Sequence, residues 1–212
     1  KTKDINILLL LASIYRKKGT NDKALFYYNK ALIINPNLSD IYLNIGNIYS
    51  DIEEFDKAYK YFMKALSIDK NNIAVLNNLS LLLKDLRQFD KAITNFKKIL
   101  NLDPNNLEAL INLGICYQIQ GMSEKAFKYL EMALKIDPDN VTLLNVLGNN
   151  KMAIGNYEDA INIFNKGKFI ANEKNLNEKN YEDLKNIRTN LATALFHTGQ
   201  IKKGIKEKSK SS

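Results

Sequence analysis

The 212 residues are 45% hydrophobic, with only three prolines and nine glycines, a composition that excludes a disordered chain and argues against a turn-rich β architecture. The formal net charge is +8, which raises nucleic acid or an acidic surface as partners. That excess is confined to the ends: residues 1–34 contribute +5, residues 175–212 contribute +4, and everything between sums to −1. Basic ends around a neutral middle read as solvated surface and tail, so nucleic acid is disfavoured. The single cysteine, Cys116, excludes an internal disulfide and fits a reducing compartment, cytoplasmic or alternatively nuclear. No leader-like segment opens the sequence. The longest apolar run, ILLLLA at 7–12, is too short to span a bilayer, so no membrane association is expected. A first residue of Lys rather than Met suggests a piece of a longer protein.

One period organises the rest. Small residues at Gly46, Ser80, Gly114 and Gly148 are 34 positions apart, and the same step links Ala24, Ala58, Ala92, Ala126 and Ala160. It also links Leu8, Tyr42, Leu76, Leu110 and Leu144, and then Tyr15, Tyr49, Leu83 and Tyr117. Pro36, Pro104 and Pro138 share a further register, with Lys70 and Asn172 at its other positions. Such self-similarity marks a repeat architecture.

Each repeat predicts two helices. In the fourth, Leu107, Leu110, Leu113 and Tyr117 have amphipathic spacing, and Gly121 in QGMSE can take the positive φ that ends a helix. Ser123 is the expected N-cap of the second helix, which runs through Ala126, Phe127, Leu130 and Ala133 until Pro138 stops it. Gly114 and Ala126 fall where two antiparallel helices must approach closely. Bulky residues at the Tyr117 and Phe96 registers are expected to fill the space between neighbouring units. No unit can bury its apolar face alone, so stacking is compulsory.

The registers carried by Leu113-Gly114, Tyr117, Ala126, Ala133 and Pro138 resemble the tetratricopeptide repeat (TPR) family. The expected fold class is an all-α, right-handed superhelical solenoid of antiparallel helix pairs. The expected organisation is one array over 1–212, with units at about 5–38, 39–72, 73–106, 107–140 and 141–174, an insert at about 175–184, and a partial sixth unit over 185–212. The resemblance implies that first helices line a concave face and second helices a convex one. The fifth unit departs from the pattern, with Lys151 in place of the aromatic and Gly167 in place of an alanine. The insert reads as a loop followed by a lengthened first helix, with Asn180 as a candidate cap. The final IKKGIKEKSKSS reads as a frayed or capping helix.

No catalytic constellation is present. One histidine and one cysteine cannot build a His/Cys metal site or a usual nucleophile–base pair. His197 reads as a solvated or helix-capping imidazole and Cys116 as a buried structural thiol. No phosphate-binding glycine loop occurs, and the acids of DIEEFD (51–56) belong to a helix junction. Asn37, Asn78 and Asn140 head glycosylation sequons that carry little weight without a secretory signal. No enzyme activity, cofactor or metal is expected of this segment.

Function is expected in the asparagines. Asn44, Asn78, Asn112 and Asn190 stand two residues before the small position, off the packing stripe, with Asn47, Asn145 and Asn149 near the same face. Asparagine is a poor helix former, so its recurrence there asks for a reason. A carboxamide offers both donor and acceptor to an extended peptide backbone. A similar ladder lines the repeats of O-linked N-acetylglucosamine transferases. The expected function is a non-catalytic scaffold binding an extended or helical protein segment in the groove. The alternative is a substrate-recruiting region of a larger enzyme such as a glycosyltransferase. The chaperone-tail carboxylate clamp known in the family is not expected: the matching positions are Leu9, Ser13, Asn44, Ala74 and Asn78, or Leu43, Asn47, Asn78, Glu108 and Asn112, and neither set supplies a cation. A homo-oligomer is left open.

Overall fold

The computed structural model describes residues 4–173 and 178–210, and among these it holds twelve α-helices and no strand. They are α1 (Ile5–Lys17), α2 (Asn21–Ile34), α3 (Ser39–Asp51), α4 (Phe55–Ile68), α5 (Ile73–Asp85), α6 (Phe89–Leu102), α7 (Leu107–Ile119), α8 (Ser123–Ile136), α9 (Val141–Ala153), α10 (Tyr157–Glu173), α11 (Glu178–His197) and α12 (Ile201–Ser209). The protein is all-α, built from consecutive helix hairpins. The chain forms two compact units, Lys1–Leu102 and Asp103–Ser212. In the first, hairpins α1/α2, α3/α4 and α5/α6 stack through α2 on α3 and α4 on α5. In the second, α7/α8, α9/α10 and α11/α12 stack through α8 on α9 and α10 on α11, and α9 also meets α11.

Every first helix ends in the same device. The residue at positions 19, 53, 87, 121, 155 and 199 has positive φ, between 58° and 78°. Its N–H bonds back to the carbonyl three residues earlier, and the next N–H to the carbonyl five residues earlier, as in Gly121 to Gln118 (3.0 Å) and Met122 to Tyr117 (2.8 Å). This double bond satisfies carbonyls that a helix end otherwise leaves open. Four of the six positions are glycine, as the conformation favours, but Glu53 and Arg87 adopt it as well.

The turns leading into the next unit also repeat. The side-chain oxygens of Asn35, Asp69, Asp103 and Asp137 each accept the backbone N–H two residues on, at 2.9–3.3 Å. Asn72, Asn106 and Asn140 then cap α5, α7 and α9 by accepting N–H groups of Val75, Ala109 and Leu143. Ser123 is not such a cap. It is the first residue of α8, behind an N-cap Met122 that makes no side-chain bond. The preceding Schellman turn already fixes the entry of α8, so no side-chain cap is needed there.

The small register is explained by close approach. A Cβ on Gly46 would lie 2.6 Å from Phe62, one on Gly114 2.6 Å from Leu130, and one on Gly148 2.3 Å from Phe164. The bulky residue of the second helix therefore sits on the small residue of its own first helix, within the hairpin. The Tyr117 register behaves likewise: Tyr15 stacks on Tyr27, Tyr49 on Tyr61 and Tyr117 on Tyr129, at 5.4–5.8 Å between centroids. Both registers were expected between neighbouring units; both make these contacts within their own hairpin, and in the Phe96 register the small residue on the first helix leaves the room for it. Lys151, where the tyrosine is absent, lies over the Phe127 ring at 4.5 Å and 3.4 Å from Asp159.

The lengthened first helix exists: α11 has 20 residues. Gly167 admits it, since a Cβ there would meet Ile187 at 2.7 Å. The loop expected before it falls partly on residues 174–177, outside the described residues, as does the side chain of Asn180. The backbone of position 180 is inside α11 rather than at its cap.

Candidate peptide-binding face

The asparagines lie on first helices: Asn44 and Asn47 on α3, Asn78 on α5, Asn112 on α7, Asn145 and Asn149 on α9, and Asn190 on α11. All are half-buried except Asn112, which is 8% exposed. They are not alike in what they touch.

In the first unit, the Asn78 Nδ2 donates to Asn47 Oδ1 at 2.6 Å, joining α5 to α3. Asn44 Oδ1 accepts from Arg16 Nη1 at 2.9 Å, joining α3 to α1. Arg16 also approaches Asp51 at 3.8 Å and bonds the Tyr28 phenol. Burial pushes the Tyr28 phenol above its ordinary pKa, and the Arg16 charge pulls partly the other way. In the second unit, Asn190 Nδ2 donates to Asn145 Oδ1 at 2.9 Å, joining α11 to α9. Asn112 Nδ2 donates to the Glu108 carbonyl of its own helix at 3.0 Å.

Each of the two amide pairs uses one donor group and one acceptor group. Among the described residues, the Nδ2 of Asn47 and the Oδ1 of Asn78 stay uncommitted in the first unit, and the Nδ2 of Asn145 and the Oδ1 of Asn190 in the second. The pairing also fixes their orientation. Two amides joined across adjacent helices thus present a donor and an acceptor side by side, the pattern a peptide backbone needs.

Two polar groups were missed from sequence. Arg16 ties three helices together; its only signal was a basic residue in the last turn of α1. Asn150, fully buried on α9, donates Nδ2 to the Ser123 carbonyl at 3.1 Å and locks α9 to the start of α8. Its cue was an amide in a register that elsewhere holds Ile48, Leu82 and Cys116. Asn140, the asparagine of one sequon, is engaged as the cap of α9. Cys116 is buried, and His197 is exposed and stacks on Tyr157 at 4.5 Å between ring centroids. Among the described residues no cluster of His, Cys, Asp or Glu could hold a metal, and no helix is long and apolar enough to cross a membrane.

Comparison with known proteins gives the same repeats. Tetratricopeptide repeat models match residues 39–72 and 71–139, and a TPR repeat model matches 12–52. The chain belongs to the tetratricopeptide repeat family. No curated protein matches this TPR chain, but solved structures do. PilW, titled a widely conserved type IV pilus biogenesis factor, aligns with TM-score 0.79 at 24% identity, over 99% of this chain and 93% of its own. MamA from Desulfovibrio magneticus aligns with TM-score 0.76 at 16% identity, over 82% of this chain and 99% of its own. YrrB, titled a TPR protein with an unusual peptide-binding site, aligns with TM-score 0.66 at 24% identity, over 79% and 86%. At these identities the likeness is one of fold.

Proposed function

We propose that the chain is a non-catalytic protein-interaction scaffold that holds an extended partner segment in a groove on its first-helix layer. The observation that carries this is the pair of interhelical amide bonds, Asn78 to Asn47 and Asn190 to Asn145. Each leaves one Nδ2 and one Oδ1 oriented and uncommitted, so a peptide backbone meets preformed partners with little side-chain entropy left to lose. Asn149 stands one helical turn beyond Asn145 and extends that set. Asn44 is held by Arg16, and Asn112 by its own helix. Backbone recognition of this kind tolerates many sequences, with Leu43, Leu81 and Ile115 supplying side-chain preference. The TPR fold and the peptide-binding site named for YrrB favour this reading over a purely structural array.

The test is selection from a random-peptide display library on the immobilised chain, followed by affinity measurement against variants. Asn78→Ala and Asn190→Ala should each weaken the selected peptides about 5- to 10-fold, on the order of one lost hydrogen bond, while far-ultraviolet circular dichroism stays unchanged. Peptides that bind both variants as tightly as the wild type would remove the amide ladder as the site.

A further inference from the structure

Two crevices in the molecule occupy one repeat-related position, and their linings have opposite chemistry. The first lies among α4, α5 and α6, the second among α10, α11 and α12, each with a volume of about 320 Å³. Stepping by whole repeats, and allowing for the ten inserted residues, matches them position by position. The floor is conserved in kind, with Leu79 and Leu83 in the first and Leu191 and Leu195 in the second. The walls are not. Leu66 is replaced by Lys168, Thr94 by Lys206 and Asn95 by Glu207, while Lys91 and Lys98 persist as Lys203 and Lys210. The Leu76 register becomes Arg188, whose Nη1 donates to the Lys210 carbonyl and whose buried Nε has no partner.

The second crevice therefore gathers four lysines against one carboxylate. Glu207 meets Lys168 through Oε1 at 2.9 Å, its Oε2 being buried without a partner among the described residues, and Lys203 bonds Gln200 at 3.0 Å. Lys206 and Lys210 are exposed, and among the described residues their ammonium groups make no ion pair or hydrogen bond. No aromatic ring lines the cavity, so nothing there would stack a nucleobase. Lysine acts as a mobile point charge suited to a compact, multiply charged anion such as a polyphosphate.

We infer that the crevice between α10, α11 and α12 is a binding site for a compact polyphosphate anion of the pyrophosphate class, held by Lys203, Lys206 and Lys210. Part of the basic excess of the C-terminal segment is thereby a built site rather than solvated tail. Its lining shares no residue with the Asn145–Asn190 pair, so it stands or falls independently of peptide binding.

Isothermal titration of the whole chain with sodium pyrophosphate at low ionic strength tests it. One equivalent should bind, with affinity falling as salt rises. Lys206→Gln with Lys210→Gln should weaken it at least about 10-fold, the scale of losing two charge-assisted contacts. Lys91→Gln with Lys98→Gln, in the matching crevice, should leave it unchanged. Glu207→Gln should tighten it by removing the only carboxylate in the lining. Phosphorus NMR of pyrophosphate with the wild-type chain gives a second reading that needs no variant. Absence of saturable binding at low salt would overturn the site. So would equal losses from the two lysine pairs, or tighter capture of single-stranded RNA through the same lysines.

Discussion

The two compact units solve the same turn with different residues. In Asp103–Ser212 every first helix ends on glycine, at Gly121, Gly155 and Gly199. In Lys1–Leu102 only Gly19 does, and Glu53 and Arg87 are held at φ 61° and 58°. The backbone bonds around all six positions are nevertheless the same. Packing of the hairpin, with Phe62 on Gly46 or Leu130 on Gly114, dictates the turn, and the turn residue accepts whatever conformation results. Glycine lowers the cost of the turn but does not create it.

The largest expected effect tests that ordering. Phe164→Ala should open the cavity over Gly148 and destabilise by about 3–5 kcal/mol, and Phe62→Ala should do the same over Gly46. Urea unfolding monitored by far-ultraviolet circular dichroism reads both; losses below those of the turn substitutions would mean that the turns, not the packing, define the hairpins.

Next come the turns themselves, where the units should respond with opposite sign. Gly121→Ala should cost about 1–2 kcal/mol, because its φ is 74° and nothing nearby offers contacts in return. Glu53→Gly and Arg87→Gly should each stabilise by about 0.5–1 kcal/mol, the backbone strain relieved being partly offset by a more flexible unfolded chain. Opposite signs sharpen the comparison; a loss on introducing glycine at 53 or 87 breaks it.

The smallest effect is confined to the first unit. The folded-state pKa of Tyr28 is raised by burial. The stability it contributes is fully present below the ordinary tyrosine pKa and is lost as pH rises through the higher folded value. Melting should therefore fall in the alkaline range above about pH 10. Tyr28→Phe should flatten that fall, at the cost of the bond to Arg16.

The hairpins were readable because they rest on size: a small residue on one helix and a bulky one on the next leave a 34-residue imprint. The direction in which those bulky residues pack was not, since Phe96 and Tyr117 have the same spacing whether they fill a hairpin or the gap between two. The turns at Glu53 and Arg87 were hidden because neither residue advertises positive φ. On the candidate face, the first-helix placement of Asn44, Asn78 and Asn190 followed from periodicity. The bonds that distinguish them did not, because they depend on which neighbouring helix supplies a partner. Asn112 makes the point: its register matches Asn78, yet it turns to Glu108 on its own helix. Composition also misled in one direction, since several of the abundant asparagines, including Asn72, Asn106 and Asn140, are helix caps.

The stacked tyrosines have an optical consequence. The chain has no tryptophan, so its near-ultraviolet signal comes mainly from tyrosine. Tyr15 with Tyr27, Tyr49 with Tyr61, and Tyr117 with Tyr129 each form a near-parallel pair inside a single hairpin. Rings held at such distances couple, and their circular dichroism reports closure of that hairpin alone. Leucine, the residue already present at Leu83, in place of Tyr15 or Tyr117 would silence its hairpin, and in place of Tyr61, which stacks on both Tyr42 and Tyr49, would silence α3/α4. The repeat thus carries its own set of local chromophores, with which the order of hairpin melting can be followed without any added label.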